Sequence, residues 1–456
     1  MIEVPVLICG AGGAGLTAAV TLSRYGVSAW VVDRRTEASS FPRATALSLR
    51  SVEIFRWLGV AGPIREGADD AELMAFSCTT LDRAGDGFAD VVGYPTRAQA
   101  SAISPETPLC VAQDHVEEQL TAHVGGSETV TLRLGLELIR LEPRDGHVRC
   151  ELRDVRTGEV ITVCASYVIG ADGARSSVRD QLGIRMDGID DALTGVRAEL
   201  RAPFWDLVGP HRYVIYSVTT PGAEGNFLPA GRHDRWLYGV FSSHVESVPA
   251  DAMPAEIERR IREGVGRSGV PFTVQRMAPF TSAAMLAERF GDGNVFLAGD
   301  AAHRVTPRGG TGLNTAIHDG FDIAWKLAWV LQGWSTSSIL DSYERERRPV
   351  AEHNVRRSAD PRGSVRTVDQ EIQADLGGRV AHAWMEGGSR STLDVLGPGL
   401  TVLCGPEAPG QAADRGRPPR TVCRLDLTTA EAIGLPDHGQ LLVRPDGKPL
   451  AIAPIE

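Results

Sequence analysis

Several features are scarce in this chain, and each scarcity excludes something. No apolar run is long enough to cross a bilayer, and no basic leader precedes the first strand-like segment at Val4. The expectation is a cytoplasmic protein without a membrane partner. Positive charge is not in excess: 47 basic residues face 58 acidic ones, for a net charge of -11 with no basic stripe. That argues against nucleic acid and anionic lipid as principal partners. Cysteine is sparse and unpatterned. The seven (Cys9, Cys78, Cys110, Cys150, Cys164, Cys404, Cys423) are odd in number, with no CxxC pair, which points to thiols in a reducing compartment and to no metal site. Repeats and low-complexity tracts are absent. What remains is ordinary for a globular protein, 43% hydrophobic and 23% charged. The 456 residues suggest two to four domains at roughly 150 residues each.

The N-terminus carries a compact pattern. VPVLIC at 4–9 reads as a buried strand, with Pro5 near its start, where a missing N–H is tolerable. Gly10-Ala-Gly12-Gly-Ala-Gly15 follows at once, then a helix over Leu16–Tyr25 closed by Gly26, then a strand ending at Asp33. Gly10 makes the tight turn, Gly12 lets a pyrophosphate touch the backbone, and Gly15 lets helix and strand approach. Asp33 ends the second strand, where a carboxylate can bind an adenosine ribose. A lone GxGxxG is a weak signal. Strand, glycines, helix, strand and acid in register are a strong one, and they predict a dinucleotide.

A second organised stretch is Val295–Asn314, VFLAGDAAHRVTPRGGTGLN. A short apolar strand breaks at Gly299-Asp300, which places a carboxylate at a strand's C-terminal edge, where open α/β sheets bind ligands. Pro307 stiffens a turn, and Gly309, Gly310 and Gly312 allow something flat to approach the backbone. A helix then starts, with Asn314 or Thr315 as cap. A helix start beside a glycine-lined slot favours negative charge. This segment lies nearly three hundred residues from the first. A long ligand spanning both suits FAD better than a nicotinamide dinucleotide held in one continuous fold.

Between these segments the chain reads as follows. After Pro42-Arg43 comes a helix with Leu47, Ile54, Phe55 and Leu58 inward, closed by Gly59. Residues 69–100 read as hairpin or loop. A strand and helix occupy 109–124, with Asp114 as cap and Gln113 within reach of a cofactor. Strand-like runs between 128 and 169 lead into GADGARSSVR at 170–179, where Asp172 again sits in a tight turn before a helix beginning near Ser176. Residues 185–280 alternate strands around one charged helix, Ala255–Arg267. They hold eight aromatics (Phe204, Trp205, Tyr213, Tyr216, Phe227, Trp236, Tyr238, Phe241) in a chain that is only 6% aromatic. A sheet so furnished suits a large flat substrate, with Phe227, Trp236 and Tyr238 as candidate contacts, although plain core is the commoner role for each. A charged helical stretch at Ser342–Pro349, a Gly- and Arg-rich linker over 360–395, and a small α/β tail with strands at Leu400–Cys404, Thr421–Leu425 and Gln440–Arg444 complete the chain.

GAGGAG with Asp33, GADGARSSVR at 170–179 and LAGDAAHRVTPRGGTGLNTAIHDGFDIAWKLA at 297–328 together resemble the class A flavoprotein aromatic hydroxylases. These are FAD monooxygenases with the p-hydroxybenzoate-hydroxylase fold. The tail, with STLDVLGPGL at 391–400 and LLVRPDG at 441–447, resembles the thioredoxin-like third domain of larger members, including bacterial aromatic-polyketide hydroxylases. Thr311 stands where many relatives have Gln, and Asp322 where they have Asn. The resemblance implies an α/β architecture: a Rossmann-like FAD-binding domain (1–75, 101–180, 281–370), an inserted mostly β substrate domain (76–100, 181–280) and a thioredoxin-like tail (385–456) with a structural or dimerising role. It further implies that NADPH or NADH reduces the FAD. The reduced flavin takes up O2, and a C4a-hydroperoxyflavin hydroxylates a phenolic or polycyclic, polyketide-type ring in a monomer or homodimer. Carried over by motif, Gly10, Gly12, Gly15, Asp33, Arg34, Arg43, Gln113, Asp172, Asp300, Gly312, Leu313 and Asn314 would bind FAD. Pro307, Gly310 and Thr311 would line its reactive edge. No protonating residue stands out, and His303 reads as structural. A halogenase is disfavoured because no Trp-x-Trp-x-Ile-Pro element occurs. Baeyer–Villiger oxygenation on the same scaffold and an FAD-binding protein without turnover are the alternatives.

Overall fold

The structure is a computed structural model that describes residues 2–91, 94–232, 234–360, 366–409 and 418–450. Two eight-stranded sheets carry the bulk of it, and a three-stranded sheet forms the tail. In the first large sheet the central strand, Ile2–Cys9, pairs in parallel with Val160–Gly170 on one side and Ala29–Asp33 on the other. Val295–Leu297 and Val130–Leu134 extend it outward, also in parallel. Helices cover this sheet, so Val6, Leu7 and Ile8 are all fully buried and the strand reads as one continuous apolar run. The register aligns the carboxyl ends. Cys9 sits beside Gly170 and Val32, and Gly170 beside Leu297. The turns at Gly10, Asp172 and Asp300 therefore open at one edge.

The second large sheet is built from Met186–Arg201, Thr273–Ala287, Arg235–Phe241, Gly225–Pro229 and Tyr213–Val218, with Glu72–Cys78 and Phe88–Val91 at one side. Period-two alternation gives it two unlike faces. One face buries Phe76, Tyr216, Phe227, Trp236 and Tyr238 against Ile257, Ile261 and Val265 of the Met253–Val265 helix. The other turns toward the first domain. The span 69–100, expected as hairpin or loop, supplies the antiparallel pair Glu72–Cys78 and Phe88–Val91. It also supplies an unexpected helix, Arg97–Ile103, opened by a Thr96/Gln99 capping box.

The tail sheet pairs Leu400–Cys404 in parallel with Arg420–Arg424 and antiparallel with Gln440–Val443, and a helix, Leu427–Ala432, lies between the latter two in sequence. The 360–395 span is more than a linker: Val368–Leu376 is a helix with its own capping box at Thr367/Gln370, while 361–365 lie outside the described residues. The tail is anchored by polar groups. Tyr25 Oη and Trp329 Nε1 both donate to the Pro398 carbonyl at 2.9 Å, and Trp57 Nε1 donates to Leu396 at 2.9 Å. Arg379 pairs with Glu53, both side chains nearly inaccessible. Asp322, Glu346 and Asp446 converge nearby, and Lys326, Arg444 and Lys448 supply their counter-charges. Asp322 bonds Lys326 Nζ at 2.6 Å.

Candidate active site

The Gly13–Arg24 and Gly312–Leu331 helices begin side by side at the common sheet edge. A Cβ on Gly13 would come within 2.8 Å of Leu313 Cδ1, and one on Gly299 within 3.2 Å of Ala14 Cβ. Neither helix start is capped by a side chain. Thr311, at the cap position of the second, has a buried hydroxyl without a hydrogen-bond partner. Unspent amide donors and two helix dipoles thus point at one spot, a setting that favours an elongated anion such as a pyrophosphate. The glycines differ in what a side chain would meet. A side chain on Gly10 or Gly15 would collide with the Ala171 or Gly10 carbonyl, and Gly10 has φ +110°. A Cβ on Gly12 would meet nothing closer than Glu117 Oε1 at 3.8 Å, so the space beside it is open to a ligand. The first helix starts at Gly13 rather than Leu16, because the motif glycines themselves form its first turn.

The polar groups around this edge are partly engaged with each other. Asp33 accepts from the Ala11 amide at 2.8 Å and from Arg35 through both carboxylate oxygens. Burial opposes its ionisation, but the Arg35 guanidinium and the backbone donors outweigh that and hold its carboxyl below the ordinary range. Asp172 accepts from Ser177 Oγ and Val178 N, each at 3.1 Å, and from Ser176, and burial pushes its carboxyl up. It therefore organises its own turn. Gln113 donates to Glu117 at 2.6 Å; Glu117 is buried beside Gly12, and desolvation raises its carboxyl. Asp114 does not cap the Gln113–Gly125 helix, whose cap position is Ala112. It reaches instead to Arg235 in the second sheet at 2.7 Å. Arg34, Arg43 and Asp300 are exposed at the same rim.

The turn at Pro307–Gly310 is closed by the Gly310 amide on the Pro307 carbonyl at 3.1 Å, with Gly309 and Gly310 both at positive φ. Pro307 is exposed at its corner. Tyr94 Oη donates to the Gly310 carbonyl at 2.8 Å. Asn314 corrects an expectation. The helix begins at Gly312 behind Thr311, so Asn314 falls in the first turn, buried, with its carboxamide engaged by protein groups. Its oxygen accepts from Ser48 N and Ser51 Oγ, and its nitrogen donates to Ala46 O and Gly310 O. It fastens the 46–51 segment to the glycine turn. His303 is likewise internal: its Nε2 lies 2.6 Å from Asp319, which also accepts from Arg347 at 2.8 Å.

Phe227, Trp236 and Tyr238 are also placed differently from the expectation. All three are fully buried on the helix-covered face of the second sheet, packed edge-to-face or tilted on Phe204 and each other. The face that meets the first domain has the opposite parity. Arg235, beside Trp236, is the residue that reaches Asp114, and Ile215, Leu228 and Leu237 share its side. Aromatic residues in alternation were legible in the sequence, but which parity faced inward was not. Arg35, Glu117 and Tyr94 were missed too. Arg35 adjoins the Asp33 that the motif marks, so adjacency was its only signal.

The match to known proteins decides the family. The sequence profile described as "FAD binding domain" (FAD_binding_3) covers residues 3–358. This chain belongs to that family. The flavoprotein is 32% identical over 98% of its length to tetracenomycin A2 monooxygenase-dioxygenase of Streptomyces glaucescens, covering 92% of that protein. It is 31% identical to aklavinone 12-hydroxylase DnrF of Streptomyces peucetius, covering 91% of this chain and 94% of the relative. The crystal structure of the flavin-dependent monooxygenase PieE, in complex with FAD and substrate, superposes with a TM-score of 0.86 at 28% identity, covering 99% of this chain and 96% of that one. The flavoprotein is thus an FAD-dependent aromatic monooxygenase with a Rossmann-like domain, an inserted β domain and a thioredoxin-like tail. No described helix is long and apolar enough to cross a membrane.

Proposed function

We propose that this flavoprotein hydroxylates a polycyclic or phenolic aromatic ring of the polyketide type, held between the inner face of its second sheet and the 307–314 turn. The observation that carries the reading is the adjacency of two uncapped helix starts, at Gly13 and Gly312, on one sheet edge, in a domain whose Asp114 reaches Arg235 on that inner face. Gly12 and the first helix would receive the FAD pyrophosphate, and Asp33 would meet the adenosine ribose beside Arg35. Asp300 and the amides of Gly312 and Leu313 would meet the ribityl and ring portions. Bound flavin supplies reduction by NAD(P)H and activation of O2. The chain's own residues bind it, aim its edge and exclude water. Thr311 and Gly310 would border that edge, with Pro307 fixing the turn, and the apolar side chains of Ile215, Leu228 and Leu237 would oppose the substrate ring. The division expected from the sequence (1–75, 101–180 and 281–370 for the cofactor, 76–100 and 181–280 for the substrate, 385–456 for the tail) cuts through two strands of the second sheet, Glu72–Cys78 and Thr273–Ala287, which we assign whole to the substrate domain.

The test is direct. Purified protein reconstituted with FAD should show a flavin spectrum, oxidise NAD(P)H faster with a phenolic polyketide than without, and yield a product heavier by one oxygen atom. A ring-expanded lactone of the same mass would identify the Baeyer–Villiger outcome. Flavin that no member of a broad aromatic panel makes reducible by NAD(P)H would overturn the reading.

A further inference from the structure

Four guanidinium groups gather where the two large domains meet. Arg197, Arg235 and Arg276 lie on the inner face of the second sheet, by register with Glu199 between them. Phe41, on the loop leading to Arg43, has two of them over its ring, with Arg197 at 4.3 Å and Arg276 at 4.6 Å from its centre. The carboxylates in this cluster are already committed. Glu199 pairs with Arg235 at 2.7 Å and also with Arg276, and Asp114 pairs with Arg235. Arg276 and Arg235 bond further to the Ser40 carbonyl.

Arg197 is left over. Its Nε is buried with no hydrogen-bond partner. Burial lowers its affinity for the proton, and the charged groups acting on it, Arg43 and Arg276, are both positive and act in the same direction. A guanidinium that is half-desolvated and repelled by two neighbours is unfavourable by itself, and the attraction of the Phe41 ring offsets only part of that cost. It becomes favourable when an anion arrives, and a planar fork of this kind matches phosphate. The enzyme has two dinucleotides to hold, but the described residues contain one GxGxxG strand-turn-helix, and the pyrophosphate of FAD fits there. The second dinucleotide has no helix start of that kind and needs cationic side chains instead.

We infer that Arg197, assisted by Arg43 and Arg276, binds the phosphate groups of the reduced nicotinamide dinucleotide at this seam. The inference rests on the monooxygenase reading above. It places the incoming reductant across the mouth between the 36–47 loop and the β domain.

The experiment uses the full chain loaded with FAD, as wild type and Arg197→Gln, with aromatic substrate present and oxygen removed. Flavin reduction is followed at 450 nm against NADPH and NADH concentration. The expected result is a Kd for the nicotinamide about tenfold higher or more in the variant, with FAD content and the substrate-induced spectral change unaltered. In the wild type, inorganic pyrophosphate and 2′,5′-ADP should compete with NADPH. Both should lose potency in Arg197→Gln and regain part of it in Arg197→Lys. Should the variant fold poorly, the wild-type competition still decides: no competition by either anion overturns the inference. So does an unchanged nicotinamide Kd, a weakened substrate Kd (the anion would then be the substrate's own acidic group) or a loss of FAD. Wild-type flavin that NAD(P)H never reduces would instead overturn the monooxygenase reading.

Discussion

Asn314 Oδ1 accepts the backbone amide of Ser48 at 2.7 Å. The same carboxamide holds Ser51, Ala46 and Gly310, so one buried side chain ties the 46–51 segment to the Pro307–Gly310 turn. Removing it strands several buried partners at once, and each unsatisfied group costs about 1–3 kcal/mol. Asn314→Ala should therefore unfold at least about 2 kcal/mol more easily in denaturant. Tyr94→Phe removes a hydroxyl that donates to the Gly310 carbonyl at 2.8 Å and accepts from Asn314 Nδ2 at 3.3 Å, and leaves the rest of the Asn314 network in place. It should fold normally yet release more hydrogen peroxide per NAD(P)H consumed, measured as the ratio of peroxide to product.

Substitutions at Gly12 and Gly15 should separate folding from cofactor binding. A methyl on Gly15 has no room beside the Gly10 carbonyl, so Gly15→Ala should fail to give soluble folded protein. A methyl on Gly12 meets only Glu117 Oε1 at 3.8 Å. Gly12→Ala should melt like the wild type without cofactor but bind FAD at least about tenfold more weakly, a loss of about 1.4 kcal/mol. Titration of the apoprotein with FAD measures this.

Glu53 and Arg379 join the first domain to the tail across a nearly inaccessible contact. Burial disfavours the charged Glu53, and Arg379 with Arg50 and Ser104 more than offsets that, holding its carboxyl below the ordinary range. Arg379→Met would leave the carboxylate buried beside fewer partners. The expected loss is about 3–5 kcal/mol, read by thermal or denaturant melting, with early proteolysis of the tail.

Asp69 gives a pH dependence. Burial raises its carboxyl from 3.8 to about 6, against the pull of the Gly231 amide and Arg212. Because the folded value lies above the unfolded one, this group's contribution is complete below about 3.8 and is lost as pH rises through about 6. Asp69→Asn keeps an acceptor for Gly231 and has no proton to lose. Relative to wild type it should gain on the order of 2 kcal/mol at pH 7 and nothing at pH 4. Denaturation midpoints at the two pH values check the sign. Asp375, also raised to about 6 by burial, should behave alike.

The sequence alone determined the cofactor fold, because its signals are local. Glycines at Gly10 and Gly15 are steric necessities of one turn, and an acid at Asp33 ends the strand beside it. Alternation also established that a second sheet existed. Tertiary structure decided what the parity of that sheet meant: Phe227, Trp236 and Tyr238 alternate correctly, yet a packed helix claims their face. It likewise decided that Asn314 braces the turn and that Asp114 crosses to Arg235, and it isolated Arg197 among like charges. A residue's neighbours at a distance of hundreds of positions are set by how whole layers pack, and no local pattern of side chains encodes that choice.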